Sequence, residues 1–398
     1  MATFTTRFLG CKVSQTDARE VRERLLADGH VEGAGETDVA VVNTCCVTHE
    51  AVRKSRQAAR RAARRAERVY VTGCAANLAG RAFADLPANV TVVPLPSERT
   101  PEFVAGDVGA IACVRDDARL DRVRAFVKVQ DGCSFSCSFC VIPQVRGASR
   151  SRAAEAVLGE VRRRVEQGHR EVVLTGINLG CYRDREAGFD LPRLVREAGA
   201  VPGLARLRLS SIEVNHLSPA LLGAMRETPC ASPHLHVPLQ SGDDRILTAM
   251  ARRYSAATYL RRVGAAEGFN LTTDVIVGFP GEDEAAFERT LGVVEAAGIT
   301  KAHVFPYSPR PGTRTAAADS VPPAVKKERG ARLRALSAAA CARHWRAKLG
   351  GADAVLVDRR GRGYGDDYTP WLVEAPVGEL VRARAVDVSA EGVVGVAA

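Results

Sequence analysis

The segment Cys133-Ser-Phe-Ser-Cys137-Ser-Phe-Cys140 decides the fold of this chain, because it places three thiols on one loop directly after a predicted strand. Thiolates spaced four and three residues apart can bind three irons of a cubane cluster and leave the fourth iron without a protein ligand. A structural zinc site or a ferredoxin-type cluster needs a fourth cysteine or histidine nearby, and none follows. The motif therefore predicts an open 4Fe–4S cluster that can chelate an amine and a carboxylate of a small molecule, with a structural metal site as the alternative.

Strands and helices alternate through the region that contains this motif. The six strands are predicted at 125–130, 171–175, 206–210, 234–239, 272–277 and 301–307, with helices between them at about 153–167, 190–199, 218–227, 255–267 and 283–297. Parallel strands joined by crossover helices predict a partial, open (β/α)6 barrel, in which the active site lies at the carboxyl ends of the strands. A basic amphipathic helix is predicted at 322–349, after the last strand.

The regions on either side of the barrel have different patterns. Residues 1–117 alternate predicted strands at 3–9, 38–43 and 69–72 with helices at 17–27 and 50–68, which is typical of a small parallel α/β sheet. The last 56 residues contain short β-rich runs separated by glycine-rich turns, which predict a small antiparallel β-barrel. The fold class is therefore α/β, with three expected domains at 1–117, 118–342 and 343–398 and a polar linker near 116–121.

Composition limits the kind of protein that this chain can be. A hydrophobic fraction of 46% over 398 residues excludes wholesale disorder, and no apolar run approaches the length of a membrane span. The cysteine count of 11 is odd and too low for a disulfide-stapled secreted module. We therefore expect a cytoplasmic protein whose cysteines bind metal, and the net charge of +10 favours an anionic partner.

Three further cysteines share one structural context. Cys11, Cys45 and Cys74 each follow one of the predicted N-terminal strands. Because the carboxyl ends of parallel strands lie on one edge of a sheet, the three thiols are expected to converge there, again without a fourth. Cys46 is a rival ligand, but adjacent residues point apart, so we expect Cys45 to bind. The remaining cysteines are interpreted as ordinary small side chains: Cys113, Cys181, Cys230 and Cys341. Cys181 lies close after a predicted barrel strand, so a functional role is kept as its alternative.

The two sets of cysteines resemble those of the methylthiotransferase family of radical S-adenosylmethionine enzymes. The resemblance covers essentially the whole chain and is carried by the segments LGCKVSQ (9–15), VVNTCCVT (41–48), VTGCAAN (71–77), DGCSFSCSFCVIPQVRG (131–147), HVPLQSG (236–242), TDVIVGFPGE (273–282) and FPYSPRPGT (305–313). Ser14 and Ser134 stand where the family pattern has asparagine, but neither change removes a ligand. The resemblance implies two 4Fe–4S clusters, one on Cys133, Cys137 and Cys140 and an auxiliary one on the N-terminal cysteines.

The resemblance also implies a chemistry. In that family the first cluster binds the amino and carboxylate groups of S-adenosylmethionine, whose reductive cleavage yields a 5′-deoxyadenosyl radical. The second cluster holds an added sulfur, which one S-adenosylmethionine methylates before transfer to the substrate. The terminal domain resembles the RNA-binding TRAM domain. An electron donor of flavodoxin or ferredoxin type and a sulfur donor are therefore expected partners.

Candidate contacts to S-adenosylmethionine lie at the ends of the predicted barrel strands. Glycine at such an end permits close backbone approach to a ligand, although it also serves as an ordinary turn residue. Phe139 precedes the third cysteine of the motif and is expected to pack against the bound cofactor, or else to be a core residue. The strand-end candidates are Gly176, Asn178, Ser211, Glu213, Gln240 and Gly278.

The substrate is suggested by resemblance alone. The segments LSSIE (209–213), VTGC (71–74) and HVFPYSPRPGT (303–313) are most similar to the branch that acts on threonylcarbamoylated tRNA adenosine. This branch implies methylthiolation at C2 of N6-threonylcarbamoyladenosine beside the tRNA anticodon. Alternatives within the family are isopentenyladenosine in tRNA and a ribosomal-protein aspartate. The alternative from another class is an RNA-binding iron–sulfur electron carrier or sensor.

Basic residues provide a separate indication of RNA binding. The stretch 53–68 holds eight basic residues and one acid, and at helical spacing Arg53, Arg56, Arg60 and Arg64 form a ridge suited to phosphates. A solvated helix face is the alternative interpretation. The tail 343–398 has no net charge, so RNA binding there would need local basic clusters with Tyr364 or Tyr368 as stacking partners. The other expected RNA contacts are Arg146, Arg150, Arg152, Arg359 and Arg360.

Overall fold

The N-terminal region is built on a five-stranded, all-parallel sheet in a computed structural model that describes residues 1–78, 83–94, 96–109 and 123–397. Its strands, in spatial order, are Val31–Glu32, Thr3–Phe8, Thr37–Thr44, Ala66–Gly73 and Val90–Val92. Its helices are Lys12–Ala27, His49–Ala62 and Thr100–Val108. The linker expected near 116–121 and Cys113 lie outside the described residues.

The central strand Thr37–Thr44 explains why this sheet is buried on both faces. Its residues alternate between two cores: Ala40 and Val42 pack on the side of the helix His49–Ala62, and Val39 and Val41 pack on the other side. Helices on both faces are the usual environment of a parallel sheet, and they account for the continuous apolar run in this strand.

The helix expected over 50–68 is shorter, because it ends at Ala62. The next strand begins at Ala66 and pairs with the central strand from Thr37 onward. The residues from Ala66 to Arg68, which the sequence pattern placed in the helix, therefore belong to this strand. Thr48 caps the start of the helix by accepting a hydrogen bond from the Ala51 N–H at 3.0 Å. The helical basic ridge therefore excludes Arg64, which follows the helix.

The expected partial (β/α)6 barrel is confirmed. Its strands fall into two parallel sheets linked by isolated bridges from Leu207 to Ala231 and from Ser211 to His236. The six barrel strands are Arg124–Asp131, Glu171–Gly176, Arg206–Leu209, His234–His236, Asn270–Val277 and Lys301–Pro306. The main helices of this region are Ala154–Glu166, Leu191–Gly199, Pro219–Glu227, Asp244–Ala249, Ala256–Gly264, Glu284–Ala296 and Pro323–Arg346.

The terminal region forms a closed five-stranded β-barrel around Trp371, whose side chain is buried against Val355 and Val393. Its strands are Ala352–Arg359, Arg362–Tyr364, Pro370–Leu372, Leu380–Ser389 and Gly392–Ala397. The expectation of an antiparallel barrel is wrong for one pair, because Trp371 and Val393 align in parallel strands.

A buried ion-pair network joins this terminal barrel to the neighbouring (β/α)6 barrel. Glu171 is fully buried and contacts Arg124, Arg206 and Arg208. Burial alone would raise the pKa of Glu171, but the three guanidinium groups outweigh it and lower the pKa to about 2. Arg206 and Arg208 also donate hydrogen bonds to backbone carbonyls of the terminal barrel.

The same interface corrects the expectation that two tyrosines stack on RNA. Tyr364 and Tyr368 stack on each other with ring centroids 4.8 Å apart, and Arg124 lies over both rings. Their faces are therefore used within the protein.

The chain divides into two compact units. One unit contains the described residues of Met1–Arg119 with Asp131–Ser149 and Ser308–Ala317. The other contains the remaining barrel residues and the terminal barrel. The cysteine motif at 133–140 thus belongs to the unit of the N-terminal sheet. No helix among the described residues has both the length and the apolar character needed to cross a bilayer.

Candidate iron–sulfur and cofactor sites

Cys11, Cys45 and Cys74 lie at one edge of the N-terminal sheet. The three strands that precede them are neighbours in the parallel sheet, and each cysteine follows a carboxyl end. Cys11 is exposed and is the N-cap residue just before the helix Lys12–Ala27, whereas Cys45 and Cys74 are buried. None of the ten described cysteines forms a disulfide. This edge therefore offers three thiols from three separate turns.

Two glycines allow these turns to approach closely. Gly10 has a φ of +125°, and a Cβ built there would lie 3.1 Å from the Cys45 Cβ. Gly73 has a φ of +85°, and a Cβ there would lie 2.7 Å from the Asn43 Oδ1. Both positions combine left-handed backbone with a lack of space, so only glycine fits.

Buried polar atoms without partners lie beside the same turns. The Asn43 Oδ1 and the Thr72 Oγ1 are buried and have no hydrogen-bond partner among the described residues. Asn43 and Thr72 are register partners at the strand ends that lead to Cys45 and Cys74. A buried polar group without a partner is costly unless another group satisfies it. Three thiols from three adjacent turns are the donor set that an open iron–sulfur cluster needs, and they fit such a cluster.

Cys45 and Cys46 have different surroundings. Cys45 has both Cys11 and Cys74 as electrostatic neighbours, and burial raises its pKa to about 11. The Cys46 thiol is hydrogen-bonded to Cys74, which raises the pKa of Cys46, and its carbonyl accepts a hydrogen bond from Arg310 at 3.1 Å. The pKa of Cys74 is lowered by the hydrogen bond from Cys46 and by Arg146.

Arg146 is a buried residue of this site, which corrects its expected contact with RNA. Its side chain is 5% exposed and forms ion pairs with Asp17 and Asp131. Its Nε donates to the Cys74 Sγ at 3.0 Å. The only sign of this role in the sequence is that Arg146 follows the cysteine motif by six residues.

The loop that carries Cys133, Cys137 and Cys140 is tied at its base. The Cys133 N–H donates to the Gly147 carbonyl at 3.0 Å, and a Cβ at Gly132 would lie 2.1 Å from the Ala148 carbonyl oxygen. The Cys140 N–H donates to the Cys137 carbonyl at 3.2 Å. All three cysteines are half-buried.

The same loop is held by the segment 308–317. Arg314 donates to the Ser136 carbonyl at 2.7 Å, and the Thr315 hydroxyl donates to the Ser138 carbonyl at 3.1 Å. These contacts fix the backbone of the loop that carries the three half-buried cysteines. Phe139 is also half-buried in this loop.

The other candidate cofactor residues lie in the (β/α)6 barrel, at or just beyond the carboxyl ends of its strands. Gly176 ends one strand, and the Asn178 N–H donates to the Gln130 Oε1 at 2.8 Å. Ser211 follows the next strand, and Gln240 forms a bridge with Val275. Gln240 has a φ of 66°, which is unusual for a residue other than glycine. The structure thus brings these positions to one edge of the barrel.

Three of these candidates also have internal partners. A Cβ at Gly176 would lie 3.1 Å from both the Cβ and the carbonyl oxygen of Gln130, so the neighbouring strand leaves little space for a side chain there. The Glu213 carboxylate accepts the Asn215 N–H at 2.8 Å and pairs with Arg252 at 3.3 Å. The Gly278 N–H donates to the Glu282 carboxylate at 2.7 Å. The Gly278 N–H is therefore engaged within its own turn.

Several arginines that are expected to contact RNA already form ion pairs within the protein. Arg53 pairs with Glu50, and Arg56 pairs with Asp85. Arg152 is half-buried and donates to Glu160 and to the Lys128 carbonyl, and its expected contact with RNA stays a prediction. The exposed basic residues at and just after the end of the helix His49–Ala62 are Arg60, Arg61, Arg64 and Arg65. Also exposed, in the other unit, are Arg150, Arg359 and Arg360.

The remaining described cysteines make ordinary contacts. The Cys230 thiol donates to the Gly199 carbonyl at 3.4 Å and the Cys341 thiol to the Thr300 carbonyl at 3.0 Å. Cys181 lies 3.4 Å from the His216 Nε2. Weak thiol donors to backbone carbonyls are typical of cysteines that serve as small core residues.

Comparison with known proteins agrees with these features. The radical SAM superfamily matches residues 127–294, and a family described as uncharacterized protein family UPF0004 matches residues 3–94. The tRNA-2-methylthio-N(6)-dimethylallyladenosine synthase of Alkalilimnicola ehrlichii is 36% identical, with 89% of this chain and 86% of the relative aligned. The threonylcarbamoyladenosine tRNA methylthiotransferase MtaB of Chlamydia pneumoniae is 34% identical, with 99% and 97% aligned.

Among solved structures, the radical S-adenosylmethionine methyltransferase TsrM of Kitasatospora setae has a similar fold. Its TM-score is 0.59 at 13% identity, and the alignment covers 79% of this chain and 75% of that one. Such low identity supports the fold alone. The MtaB relative aligns over 99% of this chain, so that similarity includes the N-terminal sheet and the terminal barrel. The chain belongs to the methylthiotransferase family of radical S-adenosylmethionine enzymes.

Proposed function

We propose that this enzyme methylthiolates C2 of N6-threonylcarbamoyladenosine beside the tRNA anticodon. The observation that carries the proposal is the presence of two three-cysteine sites in one compact unit. One site is the loop with Cys133, Cys137 and Cys140, and the other is the sheet edge with Cys11, Cys45 and Cys74. A methylthiotransferase needs both a source of radicals and a source of sulfur, and each site has three thiols for a cluster.

The residues have separate roles in this proposal. Two 4Fe–4S clusters and S-adenosylmethionine, when bound, would supply radical formation and sulfur transfer. The motif cysteines would hold the first cluster, and Cys11, Cys45 and Cys74 would hold the second. The proposed contacts to S-adenosylmethionine are Phe139, Gly176, Asn178, Ser211, Glu213, Gln240 and Gly278. The electron donor, of flavodoxin or ferredoxin type, and the sulfur donor are proposed as external partners.

The choice of threonylcarbamoyladenosine is supported by the extent of the alignments. The MtaB relative aligns over 99% of this chain and 97% of its own length, whereas the dimethylallyladenosine synthase aligns over 89% and 86%. Identities of 34% and 36% do not separate the two. Isopentenyladenosine is therefore the second candidate substrate.

We further propose that the three expected domains divide the work. Residues 1–117 would carry the auxiliary cluster, 118–342 would form the radical core, and 343–398 would bind RNA. Arg359 and Arg360 are exposed in the terminal barrel, where Arg359 also pairs with Asp358, and both would contact phosphates. A protein with this division of labour would act on tRNA in the cytoplasm.

The exposed group Arg60, Arg61, Arg64 and Arg65 is expected to contact tRNA phosphates. Replacing all four with glutamine should weaken tRNA binding. The slope of log Kd against the logarithm of salt concentration should fall by about one for each phosphate that is no longer neutralised. The matched control is glutamine at Arg53 and Arg56, which already pair with carboxylates and should change the slope less. Filter binding at several salt concentrations measures both. An unchanged slope in the fourfold variant would place the tRNA elsewhere.

The proposed substrate can be tested with purified components. Anaerobically reconstituted enzyme is incubated with reductant, S-adenosylmethionine and an equimolar mixture of two tRNAs, one with threonylcarbamoyladenosine and one with isopentenyladenosine. We expect 5′-deoxyadenosine release and a 2-methylthio product from the first tRNA only, by nucleoside mass spectrometry. A product from the second tRNA alone would instead support the alternative substrate.

A further inference from the structure

We propose that Arg146 is a positioning residue for the auxiliary cluster, where it orients Cys74 as a ligand and raises the reduction potential of that cluster. The inference rests on the proposed function in placing a cluster on Cys11, Cys45 and Cys74. It goes further in assigning a role to a residue that is not itself a ligand. Arg146 belongs to the short helix Ile142–Arg146, just after the cysteine motif.

All three nitrogens of the Arg146 guanidinium group donate hydrogen bonds. Its Nη1 donates to both oxygens of Asp131 at 3.0 and 3.1 Å, and its Nη2 donates to the Asp17 Oδ2 at 2.7 Å. Its Nε then points at the Cys74 Sγ at 3.0 Å. Because two buried carboxylates fix the plane of the guanidinium, the direction of the Nε–H bond is also fixed.

A fixed donor at a cluster ligand has electronic consequences. Hydrogen bonds to the sulfurs and the net charge nearby are among the factors that set the potential of an iron–sulfur cluster. Donation from Arg146 withdraws electron density from the Cys74 sulfur and favours the more negative, reduced state. Loss of this donor should therefore lower the reduction potential of the auxiliary cluster.

The same side chain connects the two cysteine sites within their unit. Asp131 lies two residues before Cys133, and Arg146 lies six residues after Cys140, so one ion pair closes both ends of the motif loop. The Nε of this closing residue contacts Cys74, and its Nη2 reaches Asp17 in the first helix. Arg146 thus ties the motif loop to the sheet edge that carries Cys74.

The role of Arg146 can be tested by redox titration of the full-length chain with Cys133, Cys137 and Cys140 changed to alanine, so that only the auxiliary cluster is present. Arg146→Lys and Arg146→Gln are introduced into this background, with Arg329→Lys as the control. Arg329 is a buried arginine that pairs with Glu282 and Glu284. Thermal unfolding verifies folding, and the potential is read from whichever Arg146 variant unfolds as the parent does.

We expect the Arg146 variants to shift the reduced-to-oxidised ratio of the auxiliary cluster by about tenfold toward the oxidised form at a fixed potential. The Arg329→Lys control should leave it unchanged. Loss of iron from a folded Arg146 variant would equally support the positioning role. An unchanged potential with full iron would overturn it. If the parent background binds no cluster at all, the proposed auxiliary cluster on Cys11, Cys45 and Cys74 is wrong. That result is distinct from an unchanged potential, which contradicts only the role of Arg146.

Discussion

Replacing Cys45 with alanine is expected to lower the iron content of the reconstituted enzyme from about eight to about four per chain, because one of two 4Fe–4S clusters loses a ligand. Release of 5′-deoxyadenosine should persist, since the motif loop keeps its three cysteines. Sulfur insertion into tRNA should be abolished. Cys11→Ala and Cys74→Ala should behave in the same way. Iron analysis, product chromatography and nucleoside mass spectrometry measure the three quantities.

The neighbouring thiol provides the matched control for this prediction. Cys46→Ala removes a buried thiol of the same size and the hydrogen bond to Cys74, but it should keep about eight irons. The proposal assigns the third ligand to Cys45, which has both Cys11 and Cys74 as electrostatic neighbours. If Cys46→Ala loses four irons and Cys45→Ala keeps eight, the assignment of the third ligand is reversed.

Replacing Glu171 with alanine is expected to destabilise the protein by about 3–5 kcal/mol, because it leaves buried guanidinium groups without their common carboxylate. Glu171 is fully buried, and the side chains of Arg206 and Arg208 are 2% and 3% exposed. The midpoint of denaturant unfolding is the measurement. The control is Glu227→Ala, which removes an exposed pair with Arg196 and should cost at most about 1 kcal/mol.

The pH dependence of stability provides an independent check on Glu171. Its folded-state pKa is lowered to about 2 from an ordinary value of 4.5. A lowered pKa means that the folded state binds the proton less tightly, so this stabilisation is complete above pH 4.5 and is lost as the pH falls toward 2. Glu171→Gln should remove this part of the acid sensitivity. If both Glu171 variants unfold like the parent, the network does not hold the two barrels together.

The cysteine positions at the sheet edge could be predicted from the sequence, because the signals for the strands are local. Apolar runs such as 38–43 mark buried parallel strands, and the residue after each strand must lie at the carboxyl edge. The barrel strands and helices were predicted to within a few residues for the same reason. The strand at His234–His236 is shorter than the run at 234–239, because the Leu239 N–H donates to the Thr273 hydroxyl and not to a backbone carbonyl of the next strand.

The errors have a common physical origin in contacts between residues far apart in sequence. The charges after Ala62 resembled a helical ridge, but pairing with Thr37 converts that segment into a strand. Arg146 resembled a surface arginine, yet its partner Asp17 lies 129 residues away. Tyr364 and Tyr368 similarly stack with Arg124 at an interface that no local pattern reveals.

Nucleoside mass spectrometry of tRNA from a strain that lacks this enzyme tests the central claim most directly. The deletion strain is complemented with the wild-type chain or with Cys45→Ala. We expect 2-methylthio-N6-threonylcarbamoyladenosine to disappear on deletion, to return with the wild type and to stay absent with the variant, while its unmethylthiolated precursor accumulates. Persistence of the methylthio nucleoside in a strain with no second copy of the enzyme would contradict the account.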